Sequence, residues 1–274
     1  MTATKADLIA RYNQLAATVT SLNATVSMKL TAGSAYSGVI ENYHEVNGFI
    51  LASVPARIRV IGQAPVVGKN IFDMVSDGKT FSIFIPSKNK FLEGRVDLNR
   101  PAKKPIENLR PQHLVDALLW QPIPGPIPSV LFEEANELTG RYYVLTIISH
   151  GHGFLVGNGS VASYLYVAEK IWFDRSDLNV VRLESYDHDG KLNSDVHYSD
   201  WQPAGTTNYP RQIAIERPGD DYKLEITIKK LTLNETIAPD RFILQQPPGT
   251  ELVRVGEDSG EPSPAGPKPE EPKQ

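Results

Sequence analysis

The sequence predicts a mainly β domain: one antiparallel sheet curved round a core, with helices laid in its mouth. Strand signals stand both before and after a helical insertion, the turn signals between them are short, and no strand–helix–strand rhythm of a parallel sheet is present. The chain has 274 residues, 41% hydrophobic and 22% charged, enough to bury a sizeable core and too apolar for wholesale disorder, a coiled coil or a collagen repeat.

The first element is a helix. Leu8, Tyr12, Leu15, Val19 and Leu22 recur at spacings of 4, 3, 4 and 3, one apolar stripe, and Thr4 with Asp7 resembles a capping box. Such a helix lies either on its own core or over a ligand cavity. After Ala24 the period becomes two: Val26, Met28 and Leu30 alternate with polar residues, as Ile58 and Val60 alternate with Arg57 and Arg59. Ile71 to Ser76 and Lys79 to Ile85 flank Asp77-Gly78, the signal of a two-residue hairpin turn, and Pro86 stops the second strand.

The stretch from Leu92 to Asn136 differs in texture. Pro111 with Leu114, Val115, Leu118 and Leu119 predicts a short helix with proline in its first turn. The prolines between Gln121 and Pro128 force an extended connector, either a crossover loop or a flap with Trp120, Ile123 and Ile127 to bury. Ser129 is expected to cap a second short helix running through Glu137. Strands then return at Arg141–Ser149, Ala162–Asp174, Val180–Tyr186, Leu192–Trp201, Arg211–Glu216 and Tyr222–Leu231. One β domain over residues 1–253 is expected, followed by a Pro/Glu-rich tail at 254–274 with nothing to bury.

Composition removes several functions. Twenty-eight Lys and Arg against 32 Asp and Glu leave a net charge of −4, no whole-chain footprint for nucleic acid. The absence of cysteine removes disulfides, thiolate metal sites and cysteine nucleophiles. Residues 1–23 contain no uninterrupted apolar run, so no signal peptide or membrane-spanning helix is expected there; the protein is cytosolic or its export signal has been removed. Gly62 to Lys69 misspaces the glycines of a phosphate loop and puts Asn70 where Ser or Thr belongs, and Gly151-His-Gly153 lacks the third glycine of a dinucleotide fingerprint. His150 with His152, Asp195 with His197, and His188 between Asp187 and Asp189 permit a metal or acid–base centre by spacing, but their neighbours read as turn composition. Glu133-Glu134 suggests an exposed helix face. No catalytic residue, cofactor or metal is expected.

What remains is apolar surface without attached chemistry. Phe81 to Ile85, Tyr164 to Val167 and Ile171 to Phe173 lose strict alternation, so both faces of the sheet need cover, and an incompletely filled interior would be an apolar pocket.

An ordered string of short phrases carries a resemblance over about residues 5 to 250. It runs from the amphipathic helix through Val54-Pro-Ala-Arg-Ile-Arg-Val60, Phe81-Ser-Ile-Phe-Ile-Pro-Ser-Lys-Asn-Lys90 and the helical insertion. Trp172-Phe-Asp174, Asn179-Val-Val-Arg-Leu183, Tyr198-Ser-Asp-Trp201, Tyr209-Pro-Arg-Gln-Ile213, Leu231-Thr-Leu-Asn234 and Phe242-Ile-Leu244 follow. This order resembles the LolA/LolB superfamily of bacterial lipoprotein-localisation proteins. The resemblance implies an incomplete antiparallel barrel, a half-barrel closed by the N-terminal helix and the inserted short helices. It also implies a monomeric, non-enzymatic protein of the periplasm or outer membrane that holds the acyl chains of a lipid or lipoprotein, acting as a transport chaperone.

On that reading Leu15, Val19 and Leu22, with Leu114, Leu118 and Trp120, form the lid. Val60, Phe81, Ile83, Tyr166, Trp172, Ile213 and Ile226 form the cavity wall. Carrier members have an arginine before the proline matching Pro55, where this chain has Val54; receptor members carry an exposed apolar loop, and Val66-Val67 stands at about that place as a loop for a membrane surface or partner. A removed lipid-modified cysteine before Thr2 is the matching expectation, and a periplasmic sensor that binds a protein partner with the same fold is the alternative.

Overall fold

The computed structural model describes residues 1–33, 41–42, 44–96, 110–123, 129–151 and 164–255. The expected strand residues Ala162 and Ser163, together with His152, Ile127, most of the Gly151–Gly159 turn and most of the 254–274 tail, lie outside the described residues.

Helix α1 (Lys5–Thr18) begins where Thr4 and Asp7 close a capping box, each side chain reaching the other's backbone N–H. It stops four residues before the end of the apolar stripe. Thr18, Val19 and Thr20 are β-branched and stiff, and Asn234 finishes the helix by donating to the Thr18 carbonyl at 2.8 Å and accepting from the Thr20 N–H at 2.9 Å. Val19 is therefore the cap, not a helical lid residue, and Leu22 belongs to β1 (Ser21–Ala32), where it pairs with Ala52 and Leu233.

The strands after β1 are β2 (Glu41–Asn42), β3 (Val46–Ser53), β4 (Arg57–Gln63), β5 (Asn70–Ser76), β6 (Thr80–Ile85) and β7 (Lys90–Arg95). Helix α2 (Pro111–Leu118) is followed by β8 (Val130–Glu137), β9 (Gly140–Gly151), β10 (Tyr164–Asp174), β11 (Val180–Tyr186), β12 (Leu192–Ala204), β13 (Thr207–Arg217), β14 (Tyr222–Leu233) and β15 (Glu251–Val255). They make one sheet in the order β15-β7-β6-β5-β4-β3-β1-β14-β13-β12-β11-β10-β9-β8, with β2 on β1. Neighbours run antiparallel except β15, which lies parallel to β7. The first meander and the second are joined where β1 pairs with β14, and β8 and β15 end the sheet far apart in its order, so it is a large open curved sheet. Register shifts leave one extra residue each in β5, β10, β11, β12 and β14, which increases local twist.

Two expectations are corrected. Residues 130–137 form strand β8 rather than a second inserted helix: Val130 faces Ile147 and Phe132 faces Leu145 across the β8–β9 pair, and this pairing outweighs the local capping signal at Ser129. The insertion thus contributes one helix among the described residues. The Asp77-Gly78 hairpin is a three-residue loop in which only Gly78 has positive φ, 91°, and the Asp77 carboxylate accepts from the Lys79 and Thr80 N–H groups at 2.8 Å each.

The core fills the concave face. Val26, Ile50, Val60 and Met74 from one half meet Leu145, Phe173, Ile213 and Ile226 from the other, with Leu8 and Tyr12 of α1 and Leu114 and Leu118 of α2 closing over them. On the convex face of β3, β5 and β7, Leu51, Val75 and Phe91 are also buried. The segment after β14 crosses back here: a short turn at Pro239–Phe242 contacts β4, and Arg59 binds Asp73 at 3.0 and 2.7 Å and the Arg241 carbonyl at 3.1 Å.

Candidate functional site

The mouth of the half-barrel is built around α2. Its final carbonyls have no partner inside the helix. Tyr198 of β12 donates its hydroxyl to the Ala117 carbonyl at 3.0 Å, and Tyr209 of β13 donates to Leu118 at 2.8 Å. Burial raises the pKa of both phenols, so they remain donors across the ordinary pH range. At the helix start, Pro111 presets the backbone, Arg110 lies 5.1 Å over the Phe81 ring, and His113 Nδ1 is 2.8 Å from the Tyr222 hydroxyl.

Trp120 follows α2 and fills the mouth with 1% of its surface exposed. Its rings sit 5.3 Å from Tyr209, 5.6 Å from Tyr198 and 5.9 Å from Trp201, stacked on the last at 16°. The indole N–H makes no hydrogen bond among the described residues. The chain then extends past α1, where the Ile123 N–H donates to Asn13 at 2.8 Å. An aromatic plug carried by a helix, held at its ends by side-chain hydrogen bonds, thus occupies the entrance to an apolar interior. Burial also raises the pKa of Asp116 on α2 and of Glu169 on β10, with the charge of Asp116 adding to the shift at Glu169.

Val19, Leu22, Val60, Leu114, Leu118, Trp120, Ile213 and Ile226 fall in one buried cluster, with Leu15 and Ile83 packed half-buried against it. Phe81 is buried beneath Arg110. Tyr166 lies outside the cluster, half-buried 6.1 Å from Tyr164. Trp172 is on the convex face, a correction to its assignment as cavity wall: Ile171 and Phe173 point inward, so strand alternation turns Trp172 outward, where its indole donates to Glu184 at 2.7 Å beneath Arg182. Val66 and Val67 are 95% and 74% exposed in the β4–β5 loop.

Asp195 and His197 do meet, at 3.1 Å, but Arg182 holds the Asp195 carboxylate at both oxygens, 2.8 and 2.6 Å. Among the described residues no group of three His, Asp or Glu side chains is arranged to hold a metal, and no helix is long and apolar enough to cross a membrane. Glu133 and Glu134 lie on strand β8, not a helix, and Glu134 pairs with Arg175 at 2.8 Å.

Sequence reasoning missed the part played by Tyr198, Tyr209, Trp201 and Asn13. Tyr198 and Trp201 differ in parity and look like opposite faces of a strand. Asp200 has a φ of 55°, and this left-handed residue between the Ser199–Gln212 and Trp201–Pro210 pairs breaks the alternation, so that both rings face Trp120.

No family model matches this chain, and no curated protein matches it. Solved structures do. A DUF1329 family protein from Desulfovibrio piger superposes with a TM-score of 0.52 at 14% identity, over 86% of this chain and 95% of that one. A LolA superfamily protein from Nitrosomonas europaea gives a TM-score of 0.49 at 11% identity, over 89% and 99%. A domain described as an outer membrane lipoprotein-sorting protein from Vibrio parahaemolyticus gives 0.45 at 11%, over 85% and 94%. The likeness to the Desulfovibrio protein is one of fold, here a mostly β open curved sheet with two α-helices among the described residues.

Proposed function

We propose that this chain is a non-enzymatic binding protein whose half-barrel takes up the acyl chains of a lipid or lipoprotein, with α1 and α2 as its lid, at the periplasmic side of the bacterial outer membrane. The observation that carries the reading is the plug. Trp120, the largest buried side chain of the mouth, is mounted on a helix fastened to the sheet through the hydroxyls of Tyr198 and Tyr209. Withdrawing α2, and Leu118 with it, would free a chamber lined by Ile213, Ile226 and Val60, and each methylene buried there contributes about 0.8 kcal/mol without polar chemistry. Ile83 and Phe81 extend this wall, and the exposed Val66-Val67 loop is the contact for a membrane surface or a delivering partner. The protein acts as a monomer without a cofactor, and the order of phrases in the sequence supports the same class.

Native mass spectrometry of protein purified from a bacterial host, followed by organic extraction, tests this. A co-purifying acyl lipid, lost when Leu118→Glu is introduced, is the expected result. Wild-type protein that is clean and also refuses a fluorescent fatty acid would overturn it and favour a protein-binding module.

A further inference from the structure

Beside the plug lies a second feature whose chemistry is different. The C-terminal half of α1 and the β10–β11 and β12–β13 turns enclose a cleft of about 220 Å³. Its floor is apolar, formed by Leu15, Phe173 and Trp201, and Trp201 is the residue stacked on Trp120. Its rim is polar: Gln14, Thr207, Asn208 and Arg11. Arg11 is fixed in place. Its Nε donates to the Leu178 carbonyl, and its Nη2 donates to the Asp177 carbonyl and to Asn179 Oδ1, both at 3.2 Å. These three bonds use Nε–H and both Nη2–H groups, leaving the two Nη1–H groups without a hydrogen-bond partner among the described residues. No carboxylate pairs with this guanidinium there either. The nearest acid in sequence to its partners, Asp177, directs its carboxylate to the Asn179 N–H and side-chain amide at 2.9 and 2.8 Å.

We infer that this cleft receives the anionic headgroup of an amphiphile, a phosphate or carboxylate bound by Arg11, while the first methylenes lie on Trp201 and the chain continues to the position of Trp120. The inference rests on the acyl-chamber reading and adds to it the headgroup charge and the place of entry. Arginine suits the task because a guanidinium held by its other nitrogens presents a preset fork to an oxyanion, so little side-chain freedom remains to be lost on binding. Asn208 lines the same cleft, where its carbonyl accepts from the Thr207 hydroxyl at 3.4 Å, and its side-chain amide is a neutral donor for a remaining oxygen.

The test compares three probes by calorimetry at low ionic strength: monododecyl phosphate, dodecanol and inorganic phosphate. The expected result is about tenfold tighter binding of dodecyl phosphate than of dodecanol, a gap that narrows as salt is added. Arg11→Gln should bring dodecyl phosphate to the dodecanol level and leave dodecanol unchanged. Should that variant fail to fold, Gln14→Glu, an exposed substitution on the same rim, is expected to weaken dodecyl phosphate alone.

Equal binding of dodecyl phosphate and dodecanol by the wild type, or a preference that survives both variants, would overturn the inference while leaving the chamber intact. Inorganic phosphate binding as tightly as dodecyl phosphate would overturn it in favour of a free-anion site. Failure of both chain-bearing probes would overturn the chamber reading itself.

Discussion

His113 is where a single side chain makes the seat of α2 sensitive to pH. Burial, then the charges of Arg217 and Arg110, hold its pKa well below the ordinary histidine value. The unfolded chain takes up this proton near pH 6.5 and the folded chain does so only at lower pH, so stability falls as pH drops below about 6.5, by at most about 1.4 kcal/mol per pH unit. His113→Phe should flatten that slope, read as the difference in denaturation midpoint between pH 7.5 and 5.5; an unchanged slope would remove His113 from the account. Asp195 acts in another window. Its desolvation is outweighed by hydrogen bonds from His197 and Arg182, which bring its pKa down to about 2. The stabilisation is present above the unfolded value of about 3.9 and is lost as pH falls toward 2, and it amounts to about 2 kcal/mol. Asp195→Asn should therefore cost about that much at pH 7 and much less at pH 2, measured by urea denaturation.

At the scale of elements, two phenol hydroxyls fix the seat of α2. Replacing Tyr198 and Tyr209 by Phe keeps the rings against Trp120 but leaves the Ala117 and Leu118 carbonyls unpaired, about 1–3 kcal/mol for each buried acceptor. Amides of α2 should then exchange with solvent at least tenfold faster in deuterium labelling while those of β1 and β14 keep their protection; equal exchange in the double variant would show that the hydroxyls do not hold the helix.

Elements with a clean period were readable from sequence: β11 spans Val180–Tyr186 as expected, and Pro111 opens α2. Elements set by distant partners were not. The stripe Leu8 to Leu22 continues on paper past Thr18, but Asn234, more than 200 residues away, caps the helix there. Ser129 reads as a cap only until β9 offers its edge to β8. Most residues of the buried cluster could be named from apolar periodicity, whereas the anchors could not. The hydroxyl of a strand tyrosine carries no sign of which carbonyl it will meet, and the left-handed backbone at Asp200 is invisible to a period-two count. Trp172 was misplaced because the run Ile171-Trp172-Phe173 is apolar on both faces, its outward member packing under Arg182 rather than in the core.

For the whole molecule, the decisive contact is the one between its earliest and latest long strands. β1 pairs with β14 from Leu22–Leu233 to Ala32–Tyr222, and with β3 on its other side, so the two meanders share one junction and one continuous core. Such a topology cannot complete its core from either meander alone, and pairing across some 200 residues makes folding slow relative to helical proteins of equal stability. It also predicts a single unfolding unit despite the length of the chain. Ile226 sits at this junction opposite Met28 and Ile213 with 1% of its surface exposed, and its truncation to Ala should cost about 2–5 kcal/mol. In a Trp172→Phe background, where the indole signal comes from the plug pair Trp120 and Trp201, fluorescence and far-ultraviolet circular dichroism should lose signal at one common urea concentration. Ile226→Ala should then move both curves together by the same amount. Two separated transitions, or a fluorescence curve that ignores the substitution, would mean that the mouth and the junction fold independently; one shared shift would mean that whatever opens the lid does so against the stability of the entire sheet.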